Sequence, residues 1–271
     1  MARYKLTLVY DGTDFFGSQR QSSSEADSGA RRRTVQGELE KALCTLGWTG
    51  RSVLMSGRTD TGVHARGQVA SFDLHWSHSS EELVRALNAA LPADMAAHQA
   101  RVVHPKFHPR FEALSRHYRY RLYCQPLRDP IRERFAWRVW PLVRSEVLTE
   151  TAEFFPGVHD FSAFGSPTRP GGSTVRTVLR AEWFQTEEDE WCFDVQADAF
   201  LYRMVRRLVF LQVAAARGKV SAEVISRALA EQPAAGNEKL PGGLAPAHGL
   251  TLVKVAYRDQ ESIDPKGMSF A

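Results

Sequence analysis

The spacing of apolar residues switches repeatedly between two periods along the chain, and this constrains the fold more than any other feature. Ala70, Phe72 and Leu74 alternate with Ser71 and Asp73, the period of a half-buried strand. Tyr118, Tyr120, Leu122 and Cys124 alternate in the same way with Arg119, Arg121 and Tyr123, which makes a strand with one basic face. Elsewhere the spacing is three or four. Val35, Leu39, Leu43 and Leu46 form one such stripe, with Thr34 at its N-cap position. Leu83, Leu87 and Leu91 form another, opened by the capping-box pair Ser79 and Glu82 and stopped by Pro92. Further strands are expected over residues 5–10, 53–55, 178–184, 191–195 and 250–257, and further helices over residues 145–155, 199–217 and 221–229. Strands and helices alternate, yet several strands lie close enough in sequence to pair antiparallel. The expectation is an α+β chain of two halves sharing one sheet, residues 1–112 and 113–260, with a frayed tail over 261–271.

Composition supports a packed interior. The chain has 271 residues, 43% hydrophobic and 24% charged, which excludes a wholly disordered or fibrous protein. No apolar stretch reaches the roughly 18 residues of a membrane span. The strand-like run at Tyr4-Lys5-Leu6 leaves no room for a signal peptide, and Cys44, Cys124 and Cys192 are too scattered for a disulfide framework or a zinc cage. A reducing cytoplasm is the expected setting. Positive charge is unevenly placed. From Arg101 to Arg144 there are ten Arg and one Lys against Glu112, Asp129 and Glu133, an excess of eight, while the whole chain carries only +4. Such a segment reads as an anion-binding face.

One segment stands apart. In Gly57-Arg58-Thr59-Asp60-Thr61-Gly62-Val63-His64-Ala65 an acid lies near an arginine, ahead of a glycine, just after an apolar strand. Loops at strand ends are where scaffolds present reactive groups. The same residues also suit an Asx-turn in which Asp60 bonds its own backbone, and taken alone they leave both readings open. Asp60-Thr61-Gly62 spells the aspartic-protease triplet, but that mechanism needs two carboxylates sharing a proton. His104 with His108, and His75 with His78, lack partners at metal-binding spacing. The glycines at 12, 17, 171 and 172 form no phosphate loop, and no nucleophile elbow is present. The chemistry on offer is one carboxylate and a basic face with interleaved aromatics, without a cofactor motif.

Taken together, these strings resemble the tRNA pseudouridine synthase A family. The resemblance is carried by Tyr10-Asp11-Gly12-Thr13, Thr34-Val35-Gln36, the Gly57 to Ala65 loop, Gly67-Gln68-Val69, Leu87-Asn88 with Leu91-Pro92, and Phe107-His108-Pro109-Arg110-Phe111. It continues in His159-Asp160-Phe161, in the string from Phe200 to Arg206, and in Ala245-Pro246-Ala247-His248-Gly249-Leu250, covering nearly the whole chain. It implies two ferredoxin-like halves in a pseudouridine synthase fold, and isomerisation of uridine to pseudouridine at positions 38 to 40 of tRNA, in the anticodon arm. It places Asp60 on the catalytic aspartate, Tyr118 on the ring that stacks on the target uracil, and Arg206 on the basic partner of the aspartate. Leu250 falls on an apolar wall of the pocket and Arg58 on a loop arginine that accompanies base flipping. Phe107, His108, Arg110, Phe111, Arg116 and Arg119 are expected RNA contacts. The resemblance further implies a homodimer with tRNA as partner and no metal or other cofactor. The chain departs from the family pattern at Ser18, where tryptophan is usual, at Phe210, where glycine is frequent, and in a longer loop over residues 21–33. A pseudouridine synthase acting on a different RNA, or a non-catalytic RNA-binding protein, are the alternatives that the residues leave.

Overall fold

The computed structural model describes residues 1–20, 32–230 and 240–258. The expected tail over 261–271 and most of the long loop, residues 21–31, lie outside the described residues. The chain divides into two units: Met1–Leu114 with residues 252–258, and Ser115–Thr251.

In the first unit, β1 (Ala2–Tyr10) leads into α1 (Val35–Thr45), β2 (Leu54–Met55), β3 (His64–Leu74), α2 (Ser80–Ala90) and β4 (Met95–Val103). The strands lie in the order β4, β1, β3, β2, every pair antiparallel. This is the order of a ferredoxin-like unit. Thr34 Oγ1 accepts the Gly37 N–H and caps α1, and Ser79 and Glu82 close a reciprocal capping box on α2. Leu39, Leu43, Leu83 and Leu87 from the helices are fully buried, as are Leu6, Leu8 and Ala70 from the strands.

One expectation here needs correction, and one strand was not expected. β3 is not half-buried. Every residue from Gly67 to Phe72 is buried, so both faces of this strand are covered as well as its paired edges. β4 follows Pro92 with no strand signal at all. Its Met95-Ala96-Ala97-His98-Gln99-Ala100 run carries no β-branched residue, and β1 imposes the extended form on it by pairing.

The second unit follows a related succession, with a short strand added before its first helix and three strands in place of two between its first and second helices. β5 (Ser115–Tyr123) is followed by the short β6 (Trp137–Arg138), α3 (Ser145–Ala152), β7 (Gly157–Asp160), β8 (Val175–Glu187), β9 (Glu190–Ala197), α4 (Met204–Ala216) and α5 (Ala222–Ala230). β5, β9, β8 and β7 pair antiparallel in that order, and β6 runs parallel to β5. Phe155, Phe161 and Phe164 form an edge-to-face cluster at its centre. β10 (Leu250–Ala256) begins in this unit, and its residues from Leu252 onward belong with the first.

Here too the structure alters a boundary. The helix expected from Ala199 begins at Met204, because Arg203 is left-handed at φ 65° and Tyr202 is bridged to Ser166. The preceding residues are thereby held out of the helix.

Candidate active site

The Asp60 loop is braced from beneath by buried polar groups. The turn is closed by the main chain, with the Asp60 carbonyl accepting the Val63 N–H at 3.2 Å. Thr59, one residue earlier, is held from three sides. Its Oγ1 lies 2.9 Å from the Tyr10 hydroxyl, its N–H donates to Ser18 Oγ at 2.8 Å, and its carbonyl accepts the Ser18 N–H at 3.1 Å. Gln68, fully buried in β3, donates to the Gly57 carbonyl and accepts from Ser56 Oγ. Gly12 N–H donates to His64 Nδ1 at 2.9 Å, tying the far end of the loop to the start of the same strap. Gly17 must be glycine: its φ is +81°, and a Cβ there would stand 2.9 Å from the Thr59 carbonyl. Buried polar groups in such a network are satisfied together or not at all, so the loop is stiff. Asp60 itself is half-buried and Arg58 is exposed.

This bracing explains the departure at Ser18. The side chain is fully buried and its hydroxyl caps the Thr59 amide. A small polar residue does there what a large ring could not do in the same space. Tyr10, Ser18, Ser56 and Gln68 were not singled out as site residues. The available signal was polarity where the pattern demands apolar residues, at Ser56 after Val53-Leu54-Met55 and at Gln68 within β3.

Within the second unit lie Tyr118, Arg206 and Leu250. Tyr118, on β5, packs edge-to-face with Phe200, their centroids 5.1 Å apart. Arg206 lies in the first turn of α4. Its Nε donates to the Ala245 carbonyl at 2.8 Å, and its own carbonyl accepts the Ala245 N–H. The fully buried Tyr120 holds the same segment from β5 by donating to the Pro246 carbonyl at 2.8 Å. Its ring fills the space beside Gly249, where a Cβ would come within 2.5 Å of it. Burial pushes the Tyr120 phenol well above its ordinary range, against a smaller opposing effect of Arg206, so it remains a donor. Arg206 and Leu250 are therefore placed by one strut. The departure at Phe210 has its own compensation: the ring covers Gly243, leaving no room for a side chain there.

The expected RNA contacts separate into two groups. Phe111 is 73% exposed, its ring 4.2 Å from that of His108 and flanked by the Arg110 guanidinium. Phe107 is corrected: it is 1% exposed, packed against Tyr257 and His104, and is a core residue beneath that display. The basic face of β5 is corrected as well. Arg119 forks onto Asp194 at 2.7 and 2.8 Å, Arg121 pairs with Glu190, Arg132 with Asp189, and Arg128 and Arg138 with Glu133. Three of these acids, Asp189, Glu190 and Asp194, arrive from β9 and the turn before it, which lowers the excess of eight counted along residues 101–144 to five. Arg116 donates to the Asp198 carbonyl. Among the described residues, no group of three or more His, Cys, Asp and Glu side chains is placed to hold a metal ion.

The first unit thus carries a half-buried carboxylate on a braced loop, and the second carries an aromatic pair on β5 and an arginine at the start of an apolar helix. Comparison with known proteins gives the group. The sequence profile described as tRNA pseudouridine synthase matches residues 8–112 and 152–258. Proteins named tRNA pseudouridine synthase A are similar over nearly their whole length. That of Solidesulfovibrio magneticus is 41% identical over 95% of this chain and 92% of the relative. That of Limosilactobacillus fermentum is 38% identical over 95% and 96%, and that of Chloroflexus aurantiacus 37% over 95% and 89%. The chain belongs to the tRNA pseudouridine synthase family, with the mostly antiparallel pseudouridine synthase fold and the isomerase activity of that family.

Proposed function

We propose that the chain isomerises uridine to pseudouridine at positions 38, 39 and 40 of tRNA, in the anticodon stem-loop, with Asp60 as the catalytic carboxylate. The observation that carries this reading is the loop of Asp60 itself, held by Thr59, Ser18, Tyr10 and Gln68 so that the carboxylate is presented on a rigid support. The reaction breaks the N1–C1′ bond, turns the uracil and joins C5 to C1′. The proton at C5 is lost and N1 gains one, so no electron is gained or lost overall and no water is consumed. Cleavage puts positive character on C1′, which a carboxylate stabilises or captures as it does in glycosidases. Tyr118 supplies a stacking face for the released uracil, tolerant of rotation in the ring plane. Arg206 supplies the guanidinium that keeps the carboxylate charged, and Leu250 an apolar wall. Arg58 accompanies extrusion of the target base, while His108, Arg110, Phe111 and Arg116 contact the RNA. We assign the protein to the cytoplasm, acting as a homodimer on tRNA. No helix among the described residues is long and apolar enough to cross a membrane.

The test is release of tritium from tRNA labelled at uracil C5. Wild type should release it, and Asp60→Asn should not, while keeping its fold and its affinity for tRNA. The amide is isosteric but is neither a nucleophile nor a base. Release by the variant at the wild-type rate would remove Asp60 from the reaction.

A further inference from the structure

Phe16 is 45% exposed, and it projects from the strap that braces the Asp60 loop. A single exposed ring ordinarily calls for no explanation; this one differs in its support. On one side Phe15 is buried, its carbonyl accepts the Gly62 N–H, and the Arg33 guanidinium covers its ring at 4.3 Å. Arg33 is itself locked by a two-pronged bond to Asp94, both distances 2.6 Å. On the other side Gly17 and Ser18 lie against Thr59. Phe16 N–H donates to the Arg33 carbonyl at 2.8 Å. The ring is thus held in solvent by a backbone with no slack, and the exposed Arg32 guanidinium stands 5.6 Å from its centroid. Two aromatic–guanidinium pairs sit side by side, one buried as a foundation and the other turned outward.

We propose that Phe16, backed by Arg32, is a stacking site for an unpaired base of the substrate RNA next to the uridine that enters the Asp60 site. The inference rests on the function proposed above. Extrusion of a uridine strips its neighbour in the strand of a stacking partner. An exposed ring beside the catalytic loop restores that stack, at an entropic cost reduced by the hydrogen-bonded backbone that carries it. Arg32 and Arg58, both exposed, supply charge complementary to the flanking phosphates. Phe16 touches no reacting atom in this scheme; it binds the strand beside the uridine and adds to affinity.

The experiment compares wild type with Phe16→Tyr, Phe16→Leu and Phe16→Ala, measuring tRNA Kd by filter binding and kcat by tritium release at saturating tRNA. Phe16→Leu and Phe16→Ala should bind roughly five- to a hundred-fold more weakly. Phe16→Tyr should bind as wild type, and kcat should change little in all three. The log–log salt slope should be unchanged in Phe16→Ala, since no ion contact is lost, whereas Arg32→Gln should flatten it. Thermal stability should be unaffected, the side chain being at the surface. Equal Kd for Phe16→Leu and Phe16→Tyr would show that the aromatic face is not used and would overturn the proposal, as would wild-type binding by Phe16→Ala. If wild type itself released no tritium, the proposed function would fail instead.

Discussion

At the scale of single residues, the Asp60 loop shows how little of a catalytic group's environment lies in its own motif. Asp60 owes its placement to Thr59, and Thr59 is held by residues 49 and 41 positions earlier in the chain. Tyr118 is placed differently, by packing: its ring and that of Phe200 meet edge-to-face. Tyr118→Phe should therefore bind tRNA about as well as wild type, and Tyr118→Leu should lose roughly 1–3 kcal/mol of base stacking. If the hydroxyl also moves a proton, Tyr118→Phe will turn over slowly while binding normally. Binding and single-turnover rates measured side by side separate the two roles, and wild-type values for both variants would take Tyr118 out of the site.

At the scale of elements, β5 and β9 are joined by charge as well as by backbone. Asp194, buried in β9, receives the Arg119 fork and lies 3.1 Å from His117 Nε2. Two residues flanking Tyr118 are thus fastened to one carboxylate. Burial alone would push the Asp194 carboxyl up, but the Arg119 and His117 contacts outweigh it and hold it well below the usual carboxylate range. The two partners are not equivalent. The Arg119 side chain is 39% exposed and can turn to water, whereas that of Asp194 is 5% exposed and cannot. Arg119→Ala should accordingly cost about 2 kcal/mol, since it leaves the buried carboxylate with His117 and without its fork, and Asp194→Ala only about 1 kcal/mol. Urea unfolding of both variants tests this, and a larger loss for Asp194→Ala would reverse the assignment. The sign with pH follows. A carboxyl depressed in the folded state contributes stability above its unfolded value near pH 4, and that contribution is lost as pH falls through and below it. Wild type should lose stability more steeply than Asp194→Asn between about pH 5 and pH 3; parallel curves would place the acid sensitivity elsewhere.

At the scale of the whole molecule, the net charge of +4 understates what an RNA strand meets, and the excess over residues 101–144 overstates it. Five arginines of that segment are occupied by Asp189, Glu190, Asp194 and Glu133. Arg58 and Arg110 are exposed and sit beside the Asp60 loop and the Phe111 ring in turn. Binding of tRNA should weaken strongly with salt. Each phosphate contact removed should flatten the log–log slope by roughly 0.7–0.9. Arg58→Gln with Arg110→Gln should flatten it, while Arg119→Gln should leave the slope alone and lower stability. The opposite pattern would mean that the β5 arginines let go of their carboxylates to take up RNA.

Most of the elements, though not β4, β6 or β7, were legible in the sequence, because period, caps and breakers act over a few residues. The α1 and α2 caps, the alternation of β5 and the antiparallel strands of the second unit follow from such local rules. So did the string around Asp60, whose glycines and acid are contiguous. What the tertiary structure decided depends on partners far apart in the chain. It made a strand of the alanine-rich β4 by pairing it with β1, started α4 five residues late by bridging Tyr202 to Ser166, and buried Phe107 under a display that leaves Phe111 exposed. It also turned Arg119 from an expected RNA contact into half of an ion pair. A side chain's charge is written in the sequence, but its availability depends on whether a counter-charge arrives from another strand, and Asp194 arrives from 75 residues away.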